Sequence, residues 1–282
     1  MPELPEVETV RLRLQNLLIG QTIKQVTVNH QKSFIGEPTK IKGAKIIKVS
    51  RKAKLIQLHL SNDLNLLIHL KMTGQLIYLD GKVKIGGGHP TADWVKELPG
   101  DHTRVVFSFQ SGAKLFFNDM RIFGWIKLLT HDQVQQEYQA YGPDAIDPEL
   151  NTHYLFNKLR YRTITIKQAI MINEIVGGVG NIYASEALFE AGIDPRKSSK
   201  NLSQKEVEIL VKQVKKVIKD GIKYGGTTFD GKFVDVDGLA GKFQEKLKVY
   251  GREGEKCYQC GGEVKKVQLG NRGSYFCETC QT

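Results

Sequence analysis

The groups whose type and spacing can do chemistry lie at the two ends of the chain: Pro2, Glu3 and Glu6 at the start and four cysteines at the finish. Once Met1 is removed, as is expected before a residue as small as proline, Pro2 presents a secondary amine able to attack an aldehyde-like carbon. An α-amine with a pKa near 8 is neutral in about one molecule in ten at pH 7, against about one in 2,500 for a lysine near 10.4. Glu3 is adjacent, and Glu6 falls on the same side of a helix's first turn. Two carboxylates beside one amine can divide general-acid work and water activation. Proline and glutamate also suit helix starts for structural reasons, because the missing N–H costs nothing there and acids favour the positive end of the dipole. By itself the triplet leaves both readings open.

At the other end, Cys257-x2-Cys260 and Cys277-x2-Cys280, separated by sixteen residues, have the paired-knuckle spacing of a four-cysteine zinc site. All four ligand positions are protein thiolates and none is left for water, so the ion is structural. Every cysteine falls in the last 26 residues, which in a reducing compartment favours metal over disulfides. The stretch Gly270–Tyr275 between the pairs reads as a hairpin tip. It presents Arg272 either as an ordinary exposed residue or as a guanidinium aimed at a phosphate.

Elements must hold these groups in place. Val7, Val10, Leu14, Leu17 and Leu18 recur at helical spacing before Gly20, so a helix over 6–18 is expected to make the N-terminus rigid. From Thr22 to Leu129 come eight short β-rich runs, at 23–28, 45–49, 54–60, 64–70, 75–79, 104–109, 114–118 and 124–129. Turn signals separate them, and the pattern reads as a sandwich or barrel. Gly86–Pro90 reads as a loop and the polar residues after His131 as a linker. Helices follow at 152–159, 166–175 and 181–191, then from Ser203, where Glu206 completes a capping box. The lysines of that last helix read as a solvated face, and the glycine-rich stretch 225–241 as a mobile loop.

The 282 residues suffice for two domains and an appendage, and Lys plus Arg exceed Asp plus Glu by 41 to 30, a formal charge of +11. That excess favours a polyanionic partner, and without a basic amphipathic helix carrying large aromatics, nucleic acid is favoured over membrane. No signal-peptide core or membrane span is evident, so a cytosolic location is expected.

Together these features resemble the formamidopyrimidine-DNA glycosylases of bacterial base-excision repair. The resemblance covers essentially the whole chain. It rests on Pro2–Thr9, Arg51–Lys54, His69–Gly74, Asn118–Gly124, Gly178–Glu186, Gly225–Thr228, Val249–Arg252 and the cysteine module. It implies an α+β multidomain protein: an N-terminal helix on a β-sandwich (1–130), a linker (131–150), a helix-two-turn-helix domain (151–242) and a zinc finger (243–282), with DNA between the two halves. The implied activity is that of a bifunctional glycosylase and AP lyase acting on oxidised purines in damaged double-stranded DNA, carrying one structural zinc and working as a monomer in the cytoplasm. The lesion nucleotide must be flipped out to be reached.

By this resemblance Pro2 is the nucleophile that forms a Schiff base and Glu3 the acid that assists ring opening. Lys54 is the proton donor in β-elimination and a phosphate contact, while Arg272 serves δ-elimination and phosphate clamping. Asn181 and His102 match DNA contacts. Met72, Arg121 and Phe123 match the residues that fill the gap left by the flipped base, although without the family Met72 and Phe123 read as core. Two departures stand out. Tyr161 occupies the position of a DNA-contacting lysine, so Arg162 or Arg160 is expected to replace it, and Arg104 replaces a second histidine near His102. The alternatives are the related endonuclease VIII type, which prefers oxidised pyrimidines, and a non-catalytic zinc-containing DNA-binding protein.

Overall fold

A computed structural model of the chain describes residues 1–81, 83–88, 98–227 and 241–282, with backbone alone for 83–86. The described residues divide into two units, Met1–Gln139 with Tyr224–Gln244, and Ala140–Lys223 with Glu245–Thr282.

In the first unit, helix α1 (Leu4–Leu18) begins two residues earlier than its apolar spacing suggests, because Pro5 fits the first turn and the Glu6 carboxylate accepts the Glu3 N–H. Leu4, Val7, Val10, Leu14 and Leu18 form its buried stripe. Two five-stranded sheets follow. One has the order β1 (Ile23–Val28), β8 (Thr103–Phe109), β9 (Lys114–Asp119), β6 (Gly74–Asp80), β7 (Val83–Gly88). The other has the order β2 (Phe34–Ile35), β10 (Trp125–Thr130), β5 (Leu64–His69), β4 (Leu55–Leu60), β3 (Ile46–Lys52). Their inner faces meet through Leu58, Leu66, Ile68, Leu76, Phe107, Leu115 and Phe117. Alternate residues Ile77, Val106 and Phe116 form a second apolar cluster, so these strands are buried on both faces.

All eight expected strands are present within a residue or a few at each end. Two were not expected. The glycines of 86–88 belong to β7, not to a loop: a Cβ on Gly88 would lie 2.5 Å from the Gly74 carbonyl oxygen, and its φ is +120°. A glycine run is what allows that close pairing. His89 and Pro90 lie outside the described residues. The short β2 pairs in parallel with β10.

The stretch expected as a linker is structured at both ends. Helix α2 (His131–Gln139) lies over the outer face of the second sheet, where Val134 is buried and the Tyr138 hydroxyl donates to Gln57 (2.7 Å). In the second unit, 142–145 pairs with 173–177: Gly142 N donates to Asn173 O, Gly177 N to Pro143 O and Ala145 N to Gly177 O. Helix α4 is shorter than the expected 166–175, spanning Ile166–Ile170; beyond it the chain tightens into three-residue turns, Met171 N donating to Gln168 O, Ile172 N to Ala169 O and Ile175 N to Ile172 O.

The second unit otherwise comprises α3 (Thr152–Leu159), α5 (Asn181–Ala191), α6 (Gln204–Lys223) and the hairpin β11 (Val264–Leu269) and β12 (Arg272–Cys277). Helix α5 is buried along most of its length, from Tyr183 to Phe189. It is central, with α6 on one side and the hairpin on another. Ser203 and Glu206 cap α6 as expected. Of the glycine-rich stretch 225–241, residues 228–240 lie outside the described residues. Its two ends pair, Lys242 N donating to Tyr224 O and Phe243 N to Gly226 O, within the first unit. No described helix is long and apolar enough to cross a membrane.

Candidate active site

Strand register gathers the candidate residues of the first unit at one end of the sandwich. His69 pairs with both Leu55 and Trp125, so the turn before β4, the loop after β5 and the loop before β10 are neighbours. Gly74 pairs with Asp119 and Thr103 with Asn118, so the matching ends of β6, β8 and β9 lie together, and the loops 70–73 and 120–124 run from them to β5 and β10 of the other sheet. Lys54, Met72, His102, Arg121 and Phe123 all belong to these turns.

The N-terminus joins them through one arginine. Arg51 Nε donates to Glu8 of α1 at 2.8 Å, and its Nη1 donates to the Ala53 carbonyl at 2.8 Å. The two-residue turn Ala53–Lys54 is thereby tied to the first turns of the helix that carries Pro2 and Glu3. Pro2 is buried, Glu3 is 4% exposed and Lys54 5%. Glu6 fixes the helix start from both sides: one oxygen accepts the Glu3 N–H, the other the Thr227 N–H (both 2.8 Å). A Cβ on Gly226 would stand 2.8 Å from that second oxygen, so glycine is required there. Pro2 and Glu3 are thereby held in one place rather than in the disorder normal for an N-terminal segment.

Met72, Arg121 and Phe123 come together on the surface. The Arg121 guanidinium lies over the Phe123 ring at 4.6 Å, and its Nη1 donates to the Met72 sulfur at 3.3 Å. Phe123 is 51% exposed and Met72 also stands out from the surface, so neither is core. Three of the four described non-glycine residues with positive φ adjoin these groups: Ala53 (51°) before Lys54, Lys71 (51°) before Met72, and Ile122 (57°) between Arg121 and Phe123. Such backbone is strained, most of all for a β-branched residue.

His69 lies beneath. Its Nδ1 accepts the Lys71 N–H (3.0 Å), and burial, followed by Lys71 and Lys54, pushes its pKa down to about 3. It is neutral at pH 7, which preserves that acceptor.

In the second unit the four cysteine sulfurs lie within 4.8 Å of one another, Cys257 and Cys280 at 3.8 Å and Cys260 and Cys277 at 3.4 Å. Tetrahedral zinc with bonds of about 2.3 Å separates its sulfurs by about 3.8 Å, so the cluster fits. The Gln259 and Gly262 amides donate to the Cys257 and Cys260 sulfurs, both at 3.4 Å. These four residues form one structural zinc site, and Cys257 and Cys277 pack it onto Phe189 of α5.

Arg272 opens β12 at the hairpin tip and is exposed. The strand behind it is pinned at one carbonyl: Gly273 O accepts from Lys167 Nζ (3.2 Å) and from Asn181 Nδ2 (3.0 Å). Lys167, 1% exposed, also donates to Ser274 Oγ at 2.9 Å. Asn181 and Arg272 are thus brought together. The Asn181 amide was expected to face a phosphate; here one of its two protons serves the hairpin, leaving the other. Arg162 Nε donates to the Lys158 carbonyl at the end of α3, while Arg160 stacks on the exposed Tyr161 ring at 4.5 Å.

Comparison with known proteins matches each part of this arrangement. Residues 1–126 fit the formamidopyrimidine-DNA glycosylase N-terminal domain, 141–232 the H2TH domain of the same proteins, and 254–282 a zinc finger found in FPG and IleRS. The chain is 41% identical, over its whole length and 98% of the relative's, to a formamidopyrimidine-DNA glycosylase of Actinobacillus pleuropneumoniae. It is 37% identical to one of Pelotomaculum thermopropionicum, covering 99% of that protein. The chain belongs to the formamidopyrimidine-DNA glycosylase family.

Among solved structures it resembles a mutant Lactococcus lactis Fpg in complex with DNA containing Fapy-dG, with a TM-score of 0.88 and 30% identity, each chain covered completely. Another Fpg complex of that organism, with abasic-site DNA, gives a TM-score of 0.86 at 30% identity and 99% coverage of both chains. For a formamidopyrimidine-DNA glycosylase of this kind, sequence reasoning missed Lys167 and Asp119. A lysine beside a helix start reads as solvated surface, and no local pattern marks a buried one. Asp119 stands inside the Asn118–Gly124 motif, where no local pattern marks its complete burial.

Proposed function

We propose that this enzyme excises oxidised purines, such as 8-oxoguanine and formamidopyrimidines, from duplex DNA and then cleaves the abasic strand, using Pro2 as the nucleophile. The observation that carries the assignment of Pro2 is the burial of Pro2 and Glu3 at a helix start fixed by Glu6, where a chain end would ordinarily fray. The reading requires loss of Met1, since the Pro2 nitrogen is otherwise an amide.

The Pro2 amine adds to the sugar C1′ as the damaged base departs with a proton. Glu3 supplies a proton to the ring oxygen, opening the sugar. A secondary amine gives an iminium with a fixed positive charge, and this charge acidifies C2′. Loss of that proton breaks the C3′–O bond, with Lys54 as donor to the departing oxygen; a second elimination breaks the C5′–O bond, with Arg272 holding the phosphate. Water then releases Pro2. Met72, Arg121 and Phe123 occupy the space vacated by the flipped nucleotide: the ring wedges the stack, the thioether fills volume, and the guanidinium reaches the orphaned partner base. His102, Asn181 and Arg162 contact the DNA backbone. We infer further that it works as a monomer in the cytoplasm.

Borohydride trapping on a duplex carrying 8-oxoguanine opposite cytosine, with mass mapping of the cross-linked peptide, tests this. A covalent adduct on Pro2 is expected. Tight binding with no adduct would instead make the protein a damaged-DNA binder, and an adduct formed only with an oxidised pyrimidine would favour the endonuclease VIII type.

A further inference from the structure

The wedge residues stand on two loops, 70–73 between β5 and β6 and 120–124 between β9 and β10, whose flanking residues pair on both sheets, His69 with Trp125 and Gly74 with Asp119. Strand pairing stops at those residues, and the loop tips between them relax unless something else closes them. Here the closure across the tips is one buried carboxylate. Asp119 Oδ1 accepts from the Thr73 hydroxyl and from the Arg121 N–H (3.2 Å), and Oδ2 accepts from the Gly124 N–H (2.6 Å). Thr73 Oγ1 in turn accepts the same Arg121 N–H at 3.0 Å.

The two oxygens therefore hold both feet of the segment that presents Arg121, Ile122 and Phe123, and the hydroxyl beside Met72 completes the link. Gly124 is pressed against the sheet: a Cβ there would lie 2.8 Å from the Phe117 ring and 3.0 Å from the His69 carbonyl oxygen. Between the feet sits Ile122, a β-branched residue at φ +57°. Such backbone persists where its surroundings over-determine it. Asp119 also ties in the third loop: its N–H donates to the His102 carbonyl at 2.9 Å, and its own carbonyl accepts from Arg104 Nε at 2.7 Å.

We infer that Asp119 is the positioning residue of the wedge, holding the Met72 loop and the Arg121–Phe123 loop in register so that the guanidinium, ring and thioether enter the duplex as one preformed body. The inference rests on the proposed role of those three side chains. Asp119 touches no DNA in this account. It acts by removing loop freedom before binding, when ordering would otherwise be charged against nucleotide flipping.

Asp119→Asn replaces one acceptor oxygen with a donor that faces Thr73 Oγ1 or Gly124 N–H. Excision of 8-oxoguanine from a duplex should fall about ten-fold or more, while cleavage of a preformed abasic site, already unpaired, should stay within about three-fold. The ratio of excision rates opposite cytosine and opposite adenine should also move toward one, because Arg121 no longer arrives in a fixed pose. Thr73→Val keeps the carboxylate bonds to Arg121 and Gly124 and should show the same pattern, weaker, with Thr73→Ser restoring wild-type ratios; this series decides the matter if Asp119→Asn does not fold. Equal loss of excision and abasic cleavage with an unchanged cytosine-to-adenine ratio, or no loss at all, would overturn the inference. Wild-type protein trapped on the same duplexes separates the cases: if it forms no adduct the functional reading fails, and if it does while the variants behave as wild type only the positioning role fails.

Discussion

The two units present their candidate functional side chains by different physical means. In the first, a large sandwich core is available, and its turns are set by carboxylates, buried at Glu6 under the N-terminus and at Asp119 beneath Met72, Arg121 and Phe123, and half-buried at Glu8, which acts through Arg51 on the Lys54 turn. In the second, the hairpin bearing Arg272 belongs to a module too small to build a core of its own. Four thiolates around a metal, with Lys167 and Asn181 on one carbonyl, take the core's place. Where apolar burial is plentiful, hydrogen bonds can be spent on aiming loops. Where it is scarce, the metal must first make a fold to aim.

The largest effect that would sharpen this contrast is at the nucleophile. Pro2→Gly should lower 8-oxoguanine excision by about two orders of magnitude or more while leaving affinity for a tetrahydrofuran abasic analogue within about three-fold; single-turnover kinetics and binding titration read the two. An equal loss of affinity would mean that Pro2 serves the fold rather than the reaction. Zinc removal comes next and should behave oppositely. Chelation at pH 7 should lower DNA binding and strand cleavage together by about ten-fold or more, with the sandwich's cooperative unfolding transition retained. A loss of cleavage with binding intact would show that the metal does more than hold the hairpin.

Part of this was legible in the sequence. The cysteine spacing specified a closed metal site because ligand geometry is local, and the strands of the sandwich were readable because alternation and turn residues are local too. The helix expected over 166–175 ends at Ile170, since apolar periodicity does not mark where four-residue hydrogen bonding gives way to the tighter turns of 171–175. Met72 and Phe123 read as core from residue type, and only the family resemblance moved them to the surface. Lys167 and Asp119 escaped because their partners, Gly273 and Thr73, are distant in sequence, and a polar residue declares its burial only when those partners are known.

Smaller effects probe the supports. Lys167→Met keeps the stem but removes both hydrogen bonds to the hairpin; a loss of roughly 1–3 kcal/mol is expected for such a buried donor. It should appear in phosphate-dependent binding and the second elimination, and Pro2 trapping on a preformed abasic site should be nearly unchanged. His69 gives a pH-dependent test in the first unit. Its folded pKa of about 3 lies below the ordinary value of 6.5, so the unfolded chain binds the proton first as pH falls. The stability His69 contributes is complete above about pH 6.5 and is lost progressively down to about pH 3, amounting to about 2 kcal/mol at pH 5. Urea unfolding at pH 7 and pH 5 should show that much less decline in His69→Gln than in wild type.

The left-handed residues that adjoin the site are alanine, lysine and isoleucine, where glycine would fit most easily. Glycine at Ala53 or Lys71 would relieve roughly 1 kcal/mol of backbone strain and, by enlarging the ensemble of the unfolded chain, give back roughly 0.4–1 kcal/mol. The two contributions nearly cancel. A melting curve would therefore score such variants as neutral, whereas a turnover assay would register turns that now sample many poses, and selection for thermal stability alone would pass over the positions on which the active edge depends.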